Sequence, residues 1–255
     1  RLQATRRLVI VADRDLWPVP FAGLARSPGE EPVASKYELV FAASIAGAVE
    51  ARQGWTTPQS ILAVGGADWD REVFSDLPAL PESRREADDV ASLYTQGHRL
   101  SGSEATAKAV QSLAPHFDVV HIASHAVTNS RDPGESFVLF AADGQGAGAW
   151  RAKDPGWNAF SEARLVVLSA CGTAGQRQDF QGAASGVLRS IQRTTRAEIL
   201  ASVGAVDDLA SRQLLRGFHT YLRAGHEPTA ALRLAQTDPA HRGAGNTWML
   251  YRIIS

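Results

Sequence analysis

Seven short runs of apolar, largely β-branched residues punctuate this chain, at 8–12, 39–43, 61–64, 119–123, 137–140, 165–169 and 199–203. Several are unbroken rather than alternating, as in Leu165-Val166-Val167-Leu168. An unbroken run of strand length belongs to a strand covered on both faces, which a parallel sheet between two helix layers supplies. The stretches between them carry helical patterns over 82–94, 106–113, 182–192 and 207–224. In the last of these, Leu214, Phe218, Tyr221 and Leu222 fall on one face, Asp207 and Asp208 suit the start, and Gly225 suits the stop. Pro228 opens a further helix, and 248–253 reads as a closing strand. The expected fold is an α/β sandwich with a mainly parallel central sheet flanked by helices. In such sheets, sites gather beyond the carboxyl ends of the strands.

Composition narrows the function classes. A chain of 255 residues that is 44% hydrophobic can build a sizeable core, as one large domain or two small ones. A net charge of -1 supplies no overall field toward nucleic acid or an anionic membrane, so neither is expected as a partner. The arginines at 84, 85, 189, 193 and 196 read as solvated helix faces. The single cysteine excludes an internal disulfide framework and a Cys-rich zinc site, and fits a reducing compartment. No apolar run reaches membrane-span length and the first residues do not form a signal peptide, so a cytoplasmic protein without metal or cofactor is expected. The sequence starts at Arg1 rather than Met, with a strand pattern almost at once. This reads as the C-terminal piece of something longer, whose remainder would hold a sensor.

The segment 126–158 is rich in Gly, Asp, Ser and Pro and contains Gly144-Gln145-Gly146-Ala147-Gly148. It lacks the full phosphate-loop spacing and no helix pattern follows directly, so it reads as a flexible surface loop.

Cys171 closes the buried run that begins at Leu165 and is followed by Gly172 and Thr173. A lone cysteine is often a small buried hydrophobe, but at a strand end beside flexible backbone it is placed to react. The run from Val119 closes in the same way, through Ser124, on His125 and Ala126. If the two strands are parallel neighbours, His125 and Cys171 meet above one sheet edge. A thiol with a pKa near 8.5 is mostly protonated at neutral pH, and a neighbouring imidazole promotes the thiolate. His121 lies mid-strand and reads as a core or supporting histidine.

The segments His121-Ile122-Ala123-Ser124-His125 and Leu168-Ser169-Ala170-Cys171-Gly172-Thr173 resemble the paired signatures of CHAT domains, grouped with caspases, gingipains and separase. The resemblance covers nearly the whole of 1–255: Val9 to Asp13 with Pro20 to Leu24, Leu80-Pro81 with Glu86, Gly102 to Thr106, Val206-Asp207-Asp208, the segment from Leu222 to Gln236, and Trp248. It implies a caspase-like fold and a cysteine endopeptidase with Cys171 as nucleophile and His125 as general base. Backbone N–H groups of Cys171 and Ala126 would hold the oxyanion. It further implies a protein substrate and a sensor or activator, such as tetratricopeptide repeats, in the same chain or complex, with bacterial antiviral defence as one setting. The family commonly has glycine where Ala126 stands, and tryptophan before the Val-Asp-Asp segment, where Ser202 to Ala205 stand here. Asp207 and Asp208 either cap the helix that follows, or line the pocket for the residue before the cut and favour a basic side chain, or divide the two roles, one capping while the other faces the cleft. Arg212, one turn on, either favours an acidic residue or lies exposed. The alternative to a peptidase is a catalytically silent interaction domain of the same fold. A serine hydrolase built on Ser185 is disfavoured, because Gly182-Ala183-Ala184-Ser185-Gly186 lacks the nucleophile-elbow spacing.

Overall fold

The computed structural model describes residues 6–12, 16–42, 54–129, 131–144, 146–171 and 180–255, side chains at 170–171 and 180–185 apart. In chain order the strands are β1 (Arg7–Ile10), β2 (Glu38–Phe41), β3 (Ser60–Ala67), β4 (Gln96–Gly102), β5 (Val119–Val127), β6 (Phe137–Leu139), β7 (Ala149–Arg151), β8 (Leu165–Cys171), β9 (Glu198–Ser202) and β10 (Tyr251–Ile254). The helices are α1 (Val33–Lys36), α2 (Pro81–Ser92), α3 (Ala107–Leu113), α4 (Phe180–Thr194), α5 (Asp208–Arg223) and α6 (Pro228–Thr237). The central sheet runs β1-β2-β10-β9-β8-β5-β3-β4, and its pairings are parallel except for β9 against β10. The fold is therefore the mainly parallel α/β sandwich that the apolar runs imply.

Alternation along each central strand feeds two cores. On one face Ile61, Val119, Leu165, Val167 and Leu200 pack with Ala87 and Val90 of α2, Leu214 and Phe218 of α5, and Leu232 of α6. On the other, Leu62, Val120, Ile122, Val166 and Leu168 pack with Val110 of α3, Ile191 of α4 and the aromatic group Phe140, Trp150, Trp157 and Phe160. The unbroken run Leu165-Val166-Val167-Leu168 is the direct consequence, since each of its residues meets one core or the other.

Gly65 and Gly66 let α2 approach the end of β3 closely. A Cβ at Gly65 would lie 2.1 Å from the Ser83 carbonyl oxygen, and Gly66 has φ +65 with its would-be Cβ 2.6 Å from that of Arg84. The first turn of α2 therefore rests on the strand next to β5.

Two features depart from the sequence reading. β4 forms the far edge of the sheet from Gln96-Gly97-His98-Arg99, all exposed, and among the described residues pairs only with β3. Segment 126–158 is built rather than loose: β5 continues through Ala126 and Val127 to pair with β6, β6 pairs with β7, and Trp150 stacks on Trp157 at 4.0 Å and 11°. Gln145, inside the glycine-rich stretch, lies outside the described residues. Among the described residues no helix is long and apolar enough to cross a membrane.

Candidate active site

β5 and β8 pair in parallel from Val119↔Leu165 to His125↔Cys171. That last pair is the final rung the two strands share, because Ala126 and Val127 turn to β6. Strand-to-strand spacing sets their backbones about 4.8 Å apart. The Cys171 side chain and residues 172–179, including Gly172 and Thr173, lie outside the described residues.

The imidazole of His125 is 0% exposed. Its Nε2 lies 2.8 Å from the Pro78 carbonyl oxygen, which only a ring N–H can satisfy, so Nε2 carries the proton and Nδ1 is the basic nitrogen of the neutral ring. Trp69 meets the ring edge-to-face at 5.1 Å, and the guanidinium of Arg71 stacks on Trp69 at 4.9 Å. Burial lowers the His125 pKa, the Pro78 bond works against that, and the Arg71 charge lowers it further. The ring is thus neutral at physiological pH, the state a proton acceptor requires.

Four residues earlier, His121 has a different setting. Its Nε2 bonds Glu86 Oε1 of α2 at 2.8 Å and its Nδ1 bonds Nε2 of His219 of α5 at 3.0 Å, while His219 Nδ1 bonds the Tyr94 hydroxyl at 2.8 Å. Glu86, His121 and His219 are 1%, 0% and 0% exposed. Burial, then the charge of His121, pushes His219 well below the ordinary histidine pKa. His219 and Tyr94 were not among the residues the sequence singles out. The signal for His219 is its position inside the buried stripe of α5, four residues after Leu215 and three before Leu222.

Asp207 Oδ1 accepts the Ala210 N–H at 2.8 Å and caps α5. Asp208 Oδ2 accepts the Glu82 N–H at 2.8 Å and serves α2 instead. Arg212 pairs with Glu82 and Asp89 at 2.7 and 2.8 Å, so it is held between helices rather than exposed. No non-glycine residue among those described has a positive φ, so Ala126 sits in β5 without the strain that glycine would relieve. The Ser185 side chain lies outside the described residues, and its position falls inside α4 rather than at a strand-to-helix turn. Among the described residues no group of three or more His, Cys, Asp or Glu is arranged to hold a metal.

A family model for the CHAT domain matches residues 1–246, and the chain belongs to that family. No curated protein matches the sequence. Among solved structures, the Arg-specific cysteine proteinase gingipain R is similar over 100% of this chain and 64% of its own, with 10% identity and a TM-score of 0.54. The chain therefore spans under two thirds of that relative. A Geobacter sulfurreducens protein aligns over 76% of this chain and 97% of its own, with 16% identity and a TM-score of 0.43. The fold is that of the caspase-like cysteine peptidases.

Proposed function

We propose that the chain is a cysteine endopeptidase that uses a Cys171/His125 dyad to cut a protein partner. The observation that carries this reading is the shared last rung of β5 and β8, which sets the only cysteine opposite a histidine whose Nε2–H is fixed on Pro78. Nδ1 of His125 takes the thiol proton, and the thiolate forms a C–S bond to the scissile carbonyl carbon as the C=O π pair moves to oxygen. Backbone N–H groups of Cys171 and Ala126 stabilise that oxyanion. Collapse breaks the C–N bond, the imidazolium protonates the leaving amine, and water, deprotonated by His125, then hydrolyses the thioester.

Complete burial of His125 supports an enzyme that must be opened, with a sensor or activator such as tetratricopeptide repeats, in the same chain or complex, supplying the trigger. We place this cycle in the bacterial cytoplasm, in defence or signalling, without metal or cofactor. The pair Asp207 and Asp208 stands at the head of α5, on the side expected to meet the residue before the cut.

Because Cys171 is the sole cysteine, iodoacetamide reports on it alone. At neutral pH, where the neutral His125 ring can take the thiol proton, alkylation is expected to be faster in the wild type than in His125→Ala, and the two rates to converge above the free-thiol value of about 8.5. Identical profiles for the two proteins would sink the dyad. Cleavage of the candidate partner that survives both Cys171→Ala and His125→Ala would sink the peptidase assignment.

A further inference from the structure

Helix α2 does not cap itself. Its N-cap residue, Leu80, offers no side-chain acceptor, and the N–H of Glu82 is bonded instead by Asp208, from the first turn of another helix. Asp208 is not needed by its own helix, which Asp207 already caps. The site is electrostatically unfavourable for it: burial, and then the charges of Glu86, Glu82 and Asp207, push its pKa up, against which only the Glu82 N–H acts. Arg212, one turn further along α5, is engaged by Glu82 and Asp89. A carboxylate kept in such a place serves something other than local stability.

The group that holds His125 lies just before the first turn of α2. Pro78 lies three residues before Pro81, the opening residue of α2, in the sequence Leu77-Pro78-Ala79-Leu80-Pro81. The two prolines fix their own φ and restrict Leu77 and Leu80, which shortens the free backbone between the Pro78 carbonyl and the helix end. Ser83 ties the same turn inward, donating to the Leu80 carbonyl and accepting the Gly66 N–H.

We propose that Asp208 is a positioning residue for His125: by capping α2 it holds the Pro78 carbonyl on Nε2 and so keeps Nδ1 as the proton acceptor. This rests on the dyad reading for its catalytic meaning, while the placement of the imidazole can be measured without it. It also joins the segment after β9 to the proton acceptor, so a ligand that displaces the head of α5 would disturb His125.

The direct readout is exchange of the His125 Nε2–H proton with water, followed by NMR in the intact chain. Wild type is expected to show a protected proton, Asp208→Ala to exchange it roughly fivefold faster, the population shift that loss of one helix cap produces, and Asp208→Asn, whose amide oxygen still accepts from Glu82, to restore protection. Thr106→Ala removes the equivalent cap of α3 on the opposite face, where Thr106 accepts the Ala109 N–H, and controls for general loss of stability. Unchanged protection in Asp208→Ala, or equal loss in Thr106→Ala, would overturn the assignment. Alkylation of Cys171 separates the two readings. If protection falls in Asp208→Ala and alkylation slows with it, both stand; if protection falls while neither Asp208→Ala nor His125→Ala alters alkylation, the positioning stands and the dyad fails.

Discussion

Two histidines lie four residues apart on one strand, and their surroundings differ. His121 has both ring nitrogens committed to side chains of the core, Glu86 and His219, from helices that cover the same face. His125 is held at Nε2 by a backbone carbonyl from a rim loop and stands on the last rung, opposite Cys171. A carbonyl can only accept, so it fixes the tautomer without adding charge. A carboxylate partner with a second imidazole makes a network whose members must all be present. The lesson is that equal burial does not give two imidazoles the same surroundings; the kind of partner and the place along the strand set them apart, and the proposed reactivity of His125 rests on both.

The contrast breaks most visibly at Glu86. Glu86→Leu strands His121 without its acceptor in a sealed site, and loss of one partner from such a buried pair costs about 3–5 kcal/mol. Chemical denaturation should show that loss, whereas His125→Ala should cost less stability while slowing the alkylation of Cys171 at neutral pH. Equal destabilisation by the two changes would erase the distinction between a structural and a chemical histidine.

The next effect is read in acid. The pKa of His219 is depressed on folding, so its contribution is complete above the ordinary value of 6.5 and is lost as pH falls through and below it. The depressed pKa of His125 acts in the same direction. Denaturant midpoints should fall between pH 7 and 5, by at most about 1.4 kcal/mol per pH unit for each such histidine. His219→Gln, which cannot take up the proton, should flatten that slope; an unaltered slope would assign the acid sensitivity elsewhere.

How far the sequence reaches follows from the same contrast. The apolar runs at 61–64, 119–123 and 165–169 lie in central strands, and that at 199–203 lies in β9 through Ser202, because a strand covered on both faces is apolar at nearly every position, His121, Ser169 and Ser202 being the exceptions in these runs. β4 escaped notice because an edge strand with one neighbour can be Gln-Gly-His-Arg, its membership decided by pairing with β3. Ala149–Arg151 was hidden among glycines, and only tertiary contact of Trp150 with Trp157 shows it as strand and core. At the proposed site, His125 and Cys171 stand out in the sequence because each closes an apolar run. Pro78 was not, because any residue presents the same carbonyl and only folding brings it to His125. The use of Asp208 on α2 rather than α5 was hidden for a similar reason: two adjacent acids at a helix start look alike until one is seen to reach a helix 126 positions away.

The smallest effect has the opposite sign and sharpens the comparison most. Every change inside the Glu86–His121–His219 network should cost stability, because each member satisfies another. Asp208 is different: its folded pKa is raised, so the charged form is the one folding disfavours, and stability declines as pH rises through that raised value. Asp208→Asn removes the charge that burial and three neighbouring carboxylates oppose, yet keeps an oxygen for the Glu82 N–H. It should therefore raise the melting temperature at pH 7, by about 2 °C for a gain below roughly 1 kcal/mol in a chain of this size, and the gain should vanish at a pH low enough to protonate Asp208 in the wild type. A loss of stability at pH 7 would mean that the negative charge at the head of α2 outweighs its desolvation, and Asp208 would then belong with the structural network around His121 rather than with the apparatus that holds His125.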